Sequence, residues 1–164
     1  MTGLIIEDLR PEEIPDVLAI ERDSFSTPWS EILFMNEIHK PQSLPKAARC
    51  RGKLVGYICA NYVLDEGHIL NVTVHPEYRR QGVAEALVRH VTALLAERGC
   101  RVIFLEVRTS NNAAKAMYER AGFSVIGARK NYYTHPAEDA LAMCLKLKDG
   151  QREDPHAVVT GSSE

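Results

Sequence analysis

Apolar positions along this chain fall into short segments whose spacing switches between strand-like and helix-like. Leu4-Ile5-Ile6-Glu7-Asp8-Leu9 reads as a first strand. Pro11 stands where a helix can begin, and Ile14, Val17 and Leu18 then recur at helical spacing. Phe25 to Ser30 breaks the pattern. Ser30 makes a good helix N-cap with Glu31 in the first turn, and the helix that follows carries Ile32, Leu33, Met35 and Ile38 and ends near Pro41. Lys46 to Arg51 and Leu54 to Leu64 predict a hairpin turning at Gly52-Lys53, and His68 to Val74 predicts another strand, closed by His75-Pro76.

A strongly amphipathic helix comes next. Its stripe is Val83, Leu87, Val88, Val91, Leu94 and Leu95, and Gly99 stands where a C-terminal cap is expected. Val102 to Val107 is a nearly continuous apolar run, the pattern of a strand buried on both faces. Asn111 or Asn112 can cap a further helix with Ala113, Ala116, Met117 and Arg120 on one side, ended by Gly122. Ser124 to Ala128 and Ala140 to Leu147 read as closing strands. The order is strand, two helices, three strands, helix, strand, helix, two strands. It implies one α/β (α+β) domain over residues 1–147, with a mixed sheet of about seven strands flanked by about four helices. Residues 148–164 are polar and rich in Gly, Ser and charge, and are expected to form a disordered tail.

Composition narrows the function classes. Of 164 residues, 45% are apolar and 26% charged, an ordinary globular balance that leaves a sizeable core. A formal net charge of -2 gives no global field favouring nucleic acid or an anionic membrane, so any anion must be caught locally. No apolar run approaches the ~20 residues of a membrane span, and Met1 to Asp8 lacks the form of a secretory signal. Cys50, Cys59, Cys100 and Cys144 are scattered without C-x-x-C spacing, and the histidines lack ligand spacing. Neither a metal site nor a disulfide framework is expected, and a reducing cytoplasm is the natural location.

The turn after Val74 has specific chemistry. A strand ends, Arg79-Arg80-Gln81 follows, and a long helix opens at Gly82-Val83-Ala84. A helix N-terminus offers free N–H groups and partial positive charge, Gly82 permits close backbone approach, and the two arginines add charge. Together these describe a phosphate site, or else a plain loop before a surface helix. Neither G-x-x-x-x-G-K-[ST] nor G-x-G-x-x-G is present.

Two further residues carry two readings each. Glu106 interrupts an apolar strand, where a charge is costly unless paired or used. It is either a general base or a strand-end carboxylate, exposed or paired with Arg108. Tyr118 sits at the edge of its helix stripe, placed either to pack or to aim its hydroxyl at a site. Asn111 is a helix cap or a ligand contact.

In this order the signals resemble the GNAT N-acetyltransferases. The superfamily's R/Q-x-x-G-x-G/A turn appears as Arg79 to Ala84; its later block appears as Leu105-Glu106-Val107-Arg108, Asn111 to Ala114 and Tyr118 to Phe123. The resemblance covers residues 4 to 147. Phe25-Ser26-Thr27-Pro28-Trp29-Ser30, Leu64-Asp65-Glu66, Arg129-Lys130-Asn131-Tyr132-Tyr133 and Glu138-Asp139-Ala140 look, more narrowly, like the bacterial ribosomal-protein-alanine N-acetyltransferases (RimI).

That resemblance implies acetyl-CoA as cosubstrate, no metal, and the N-terminus of a small-subunit ribosomal protein as acceptor. By the same resemblance, backbone groups of Val72, Thr73 and Val74 hold the acetyl-pantetheine arm. The turn from Arg79 through Arg80, Gln81, Gly82, Val83, Ala84 and Glu85 surrounds the pyrophosphate, and Asn111 helps place the cofactor. Glu106 is implied as general base, acting through water, and Tyr118 as the general acid that protonates the leaving thiolate. Glu85 stands where relatives often have a basic or small residue, so its side chain is expected to point away from the phosphates while its N–H contributes. Glu37, Asp65, Glu66, Glu138 and Asp139 form either an acidic groove for a basic peptide or a solvated face. The alternative functions are acetylation of another amine and a non-catalytic acyl-CoA module; the presence of both Glu106 and Tyr118 argues against the latter.

Overall fold

The computed structural model describes residues 2–148. The elements are β1 (Leu4–Asp8), α1 (Ile14–Ser24), α2 (Glu31–His39), β2 (Lys46–Cys50), β3 (Lys53–Val63), β4 (Glu66–Val74), α3 (Val83–Glu97), β5 (Val102–Arg108), α4 (Asn112–Arg120), β6 (Ser124–Thr134) and β7 (Ala137–Lys146). Short 3-10 turns at Pro11–Glu13 and Pro76–Tyr78 precede α1 and follow β4. The chain order of strands and helices is the one the sequence patterning gives. The expectation of a tail over 148–164 lies outside the described residues, apart from Lys148.

All seven strands form one sheet in the order β1-β2-β3-β4-β5-β7-β6. Every neighbouring pair is antiparallel except β4 and β5, which run parallel. Helices cover both faces. On one, α3 and α4 bury Leu87, Val91, Leu95 and Met117 against Ile103, Leu105 and Val107. On the other, α1 and α2 bury Val17, Ile20 and Phe34 against Leu54, Tyr57 and Cys59. Each fully buried aliphatic side chain contributes roughly 1.5–3 kcal/mol, so α3, with Val83, Leu87, Val88, Val91 and Leu95 all essentially inaccessible, is firmly fixed to the sheet.

Gly56 explains how closely α3 sits. A Cβ there would lie 3.0 Å from the Thr73 carbonyl oxygen and 3.2 Å from Val83 Cγ1, so only glycine lets the first turn of α3 settle over β3 and the end of β4.

A bulge in β4 sets which side chains face which layer. The β3–β4 register pairs Cys59 with Asn71 but Ala60 with Ile69, leaving Leu70 as an extra residue. Strict alternation would put Ile69 and Asn71 on one face. The extra residue rephases the strand, so Ile69, Val72 and Val74 pack toward α3 while Asn71 and Thr73 turn toward α1.

Several boundaries and faces differ from the sequence reading. β6 runs to Thr134, beyond the expected end at Ala128, and β7 starts at Ala137 rather than Ala140. The run Arg129 to Tyr133 reads as a loop because it is polar, but it forms an exposed edge strand, where one buried face is not needed. Its register is broken between Arg129 and Tyr133, with Asn131 in the left-handed region. β5 is not buried on both faces: Ile103, Leu105 and Val107 are buried, and Phe104, Glu106 and Arg108 are half-buried. In α2 the buried residues are Phe34 and Glu37, while Ile32 and Leu33 are exposed. In α4 the covered face is Ala114, Met117, Tyr118 and Ala121; Ala113 and Ala116 are exposed, so Tyr118 lies within the buried face rather than at its edge. No helix among the described residues is long and apolar enough to cross a membrane.

Candidate active site

The parallel pair at the centre of the sheet is bonded over a short stretch only. Glu66, Gly67 and His68 pair with Val102, Ile103 and Phe104, and the pairing stops there. Beyond it β4 continues to Val74, still paired with β3 through Val72↔Ile58, Tyr57↔Thr73 and Gly56↔Val74. β5 continues to Arg108, paired with β7. Two adjacent strands each paired only on the outer side leave an opening between them, along which their facing backbone groups do not bond one another. Val72, Thr73 and Val74 are on one edge of it, and Glu106 is on the other.

The helix that follows β4 begins at the same end of the sheet. Gly82, its N-cap residue, has φ +83° and provides no side-chain cap. The first intrahelical bond is donated by Ala86 to the Gly82 carbonyl, so the N–H groups of Val83, Ala84 and Glu85 have no intrahelical acceptor. A Cβ on Gly82 would meet nothing within 4 Å: the backbone there faces open space, and it is the left-handed φ that requires glycine. Arg80, also left-handed at φ +61°, is exposed.

Arg79 and Glu85 are engaged elsewhere. Arg79 donates from Nε to the Val74 carbonyl (3.2 Å) and from Nη2 to Ser24 Oγ at the end of α1 (3.2 Å). Glu85 Oε1 accepts from Arg120 Nε on α4 (3.1 Å) and lies 4.0 Å from Arg89 Nη2, so its carboxylate is directed along α3 and across to α4 between two guanidinium groups. Gln81 donates to the Glu77 carbonyl, tightening the turn.

Glu106 and Tyr118 lie on opposite faces of the sheet. Glu106 alternates with Leu105 and Val107, which pack under α3 and α4, so its side chain emerges on the α1–α2 face. That side chain is 9% exposed. Its partners are not Arg108 but His68, whose Nε2 is 2.8 Å from Oε2, and Arg129, whose Nη2 is 3.5 Å from Oε1. Arg108 instead stacks over the Tyr133 ring at 4.1 Å and donates to the carbonyls of Pro136 and His135.

Tyr118 is 8% exposed on the α3–α4 face, its ring edge-on to Phe123 at 5.7 Å. Among the described residues the Tyr118 hydroxyl makes no hydrogen bond, and it is not completely sealed, since Thr92 Oγ1 alone is both sealed and unpartnered. Burial, and secondarily the neighbouring Tyr133, pushes the Tyr118 phenol well above its ordinary range. It is therefore a protonated donor throughout neutral pH. Tyr133 is itself pushed up to about 12, chiefly by burial.

Asn111 is the N-cap of α4, its Oδ1 accepting from Ala114 N at 3.1 Å. The loop before it is held by Glu138, which accepts from Ser110 N (2.7 Å), Ser110 Oγ (2.9 Å) and Thr109 Oγ1 (3.0 Å). Those bonds, the Ser110 ones first, hold the Glu138 carboxyl below its usual range. The acidic groove does not assemble. Glu37 is buried and bound by Lys40 and Ser43, Glu138 is occupied as described, Asp139 accepts from Asn131 N, and Asp65 and Glu66 lie at the β3–β4 turn, the far end of β4 from the opening. No group of three or more His, Cys, Asp or Glu residues among those described could hold a metal ion.

Patterning passed over His68, Arg129 and the buried Glu21–Asn71 pair. His68 and Arg129 carry no spacing signal, because they meet Glu106 from separate strands. Glu21 occupies a core position of α1, and a lone carboxylate in a helical stripe was the one available hint.

The model of the acetyltransferase (GNAT) family matches residues 14–123. The [ribosomal protein bS18]-alanine N-acetyltransferase of Escherichia coli (strain K12) is 37% identical over 144 residues, covering 87% of this chain and 97% of that one. The enzyme of that name from Salmonella typhimurium is 34% identical over 145 residues. The crystal structure of the ribosomal-protein-S18-alanine N-acetyltransferase from Escherichia coli superposes with a TM-score of 0.81 at 36% identity, covering 88% of this chain and 94% of that one. Arabidopsis thaliana NAA60 in complex with acetyl-CoA shares the fold at 22% identity, with a TM-score of 0.80.

Proposed function

The chain belongs to the GNAT acetyltransferase family, whose acyl donor is acetyl-CoA, and on that premise we propose that it acetylates the N-terminal α-amine of an alanine on a small-subunit ribosomal protein. The observation that carries the reading is the opening between β4 and β5, with a carboxylate on one face and a phenol on the other. A thioester seated in that opening would have its sulfur on the side of α3 and α4 and its carbonyl carbon accessible from the side of α1 and α2. The pyrophosphate would rest on the free N–H groups of residues 83–85, with Arg80 supplying charge. The edge of β4 at Val72 to Val74 that faces away from β3 would hold the pantetheine arm by strand-like hydrogen bonds, one N–H polarising the thioester carbonyl, with the Val74 carbonyl already bonded by Arg79.

The acceptor then enters on the Glu106 face. Glu106, through water, takes a proton from the ammonium. The free amine attacks the thioester carbon, and collapse of the tetrahedral intermediate expels the thiolate. Tyr118 donates its proton to that sulfur from the other face and is reprotonated from the acceptor nitrogen through solvent. No acyl-enzyme is formed. An α-amine suits this arrangement, since its unperturbed pKa of ~7.7–8.0 lies far below the ~10.4 of lysine. The relatives that cover nearly their whole length with this chain are named for that alanine acceptor.

Following CoA release with an Ala-start peptide of the ribosomal protein, an N-blocked lysine peptide and small amines tests the reading. Turnover confined to the Ala-start peptide is expected. Turnover confined to small amines would remove the ribosomal assignment, and no turnover with any amine despite acetyl-CoA binding would leave a non-catalytic acyl-CoA module.

A further inference from the structure

The most deeply buried charge in the described residues has no part in the chemistry above. Glu21, on α1, is 1% exposed. Removing a carboxylate from water costs several kcal/mol unless its oxygens are well bonded. Here they accept from three different elements. Trp29 N, in the segment between α1 and α2, donates to Oε1 at 3.1 Å. Tyr57 Oη on β3 donates to Oε2 at 2.5 Å. Asn71 Nδ2 on β4 donates to both oxygens, at 3.2 and 3.1 Å. Asn71 is itself fixed by Thr73 Oγ1, which donates to its Oδ1 at 2.7 Å. Both Asn71 and Thr73 face α1 only because Leu70 rephases β4.

Two ties fix the segment that Glu21 holds, one on the β4 side of the opening and one on the β5 side. At one end, Glu21 and Asn71 bind it to β4. Further along, Ser26 Oγ donates to the His135 carbonyl in the β6–β7 turn, and the same carbonyl accepts from Arg108 at the end of β5. Residues 25–30 therefore bridge from β4 to the end of β5 on the face from which Glu106 emerges. Trp29 packs its ring on Phe34 at 5.2 Å, and Phe34 meets Tyr57 edge-on at 5.7 Å, so the bridge rests on the same patch of core.

We propose that Glu21 is a positioning residue for the acceptor. It sets the height and register of residues 25–30 over the opening, and so the wall against which the incoming amine is presented, without touching acceptor or cofactor. An apolar residue of similar size would fill the space but leave the Trp29 N–H and the Asn71 amide unbonded. The carboxylate is the group that fixes the bridge to β4 rather than merely covering it. This role rests on the reading that the amine enters on the Glu106 face.

Glu21→Gln tests it, because glutamine keeps the shape but leaves one oxygen for the donors that now share two. Steady-state kinetics with an Ala-start peptide should give a peptide KM raised roughly tenfold, on the scale of a single lost hydrogen bond to a charged group. The acetyl-CoA dissociation constant should change less than about twofold, and amide exchange at Trp29 should speed up. Tyr57→Phe, which removes one donor but keeps the Trp29 and Asn71 bonds, should lower thermal stability while leaving peptide KM close to wild type. An unchanged peptide KM or unchanged Trp29 exchange in Glu21→Gln overturns the role. So does a loss of acetyl-CoA affinity as large as the rise in KM, or a Tyr57→Phe variant with the same rise. Absence of wild-type turnover with any acceptor overturns the functional reading as well; wild-type turnover with an unaltered Glu21→Gln overturns only the role of Glu21.

Discussion

Tyr118→Phe separates catalysis from packing more cleanly than any other substitution at this site. The ring is buried and edge-on to Phe123, and phenylalanine keeps that packing. The hydroxyl has no hydrogen-bond partner among the described residues, so its removal strands no donor or acceptor. The stability change should therefore stay within about 1 kcal/mol, a shift of roughly 2–4 °C in a domain of this size. The catalytic cost is of another order. Loss of a positioned general acid costs ~10²–10⁴ in rate, or about 2.7–5.4 kcal/mol at the transition state. The assay is CoA-thiol release at saturating acetyl-CoA and peptide, beside a thermal melt of the same preparation. The wild type carries a further sign. Burial raises the phenol above its ordinary value of ~10, so the proton is present below that pH and is lost only above the raised value. Titration of Tyr118 should thus produce no basic limb in the kcat profile up to about pH 10. A Tyr118→Phe variant within threefold of wild type would make the residue a packing element alone, and a variant that lost both rate and fold would refute the claim that the hydroxyl stands free.

Glu106→Gln should lower kcat/KM by ~10²–10³ near neutral pH, the lower part of the range for a missing base. Its acetyl-CoA dissociation constant, read by calorimetry, should stay within about twofold; an unchanged pH–rate profile would remove Glu106 as the base. Gly82→Val places a β-branched residue at φ +83° with open space around it, so its cost is conformational, about 1–2 kcal/mol or more. It should weaken acetyl-CoA binding more than tenfold by calorimetry while peptide KM at saturating cofactor is largely kept, and unaltered cofactor binding would detach the phosphate site from this turn.

The sheet and its helices were legible wherever one periodicity held over a whole element. The stripe of α3 from Val83 to Leu95 coincides with the buried face, because a long helix on a sheet admits one register only. The start of α3 was legible for the same local reason: glycine and the helix start adjoin in sequence, and Gly82 is the left-handed N-cap. Three features were not. The exposed edge of β6 hid behind Arg129 to Tyr133, whose polarity reads as loop when no face is buried. The opening between β4 and β5 is a property of pairing, which stops at His68 although both strands go on. The partners of Glu106 and Glu21 come from residues far apart in sequence, so Glu106 looked pairable with adjacent Arg108 while His68 and Arg129 in fact hold it. In α4 the stripe was misplaced by one position. Alanine is apolar enough to suggest a buried face and small enough to be left exposed, as Ala113 and Ala116 are.

Tandem mass spectrometry of an Ala-start ribosomal-protein peptide that also contains lysine, incubated with acetyl-CoA and the wild-type protein, reads out whether acetyl passes from acetyl-CoA to a protein α-amine. One acetyl group on the N-terminal alanine and none on lysine is the predicted result. Acetylation of the lysine side chain, or an unmodified peptide in the presence of acetyl-CoA-saturated protein, would contradict it.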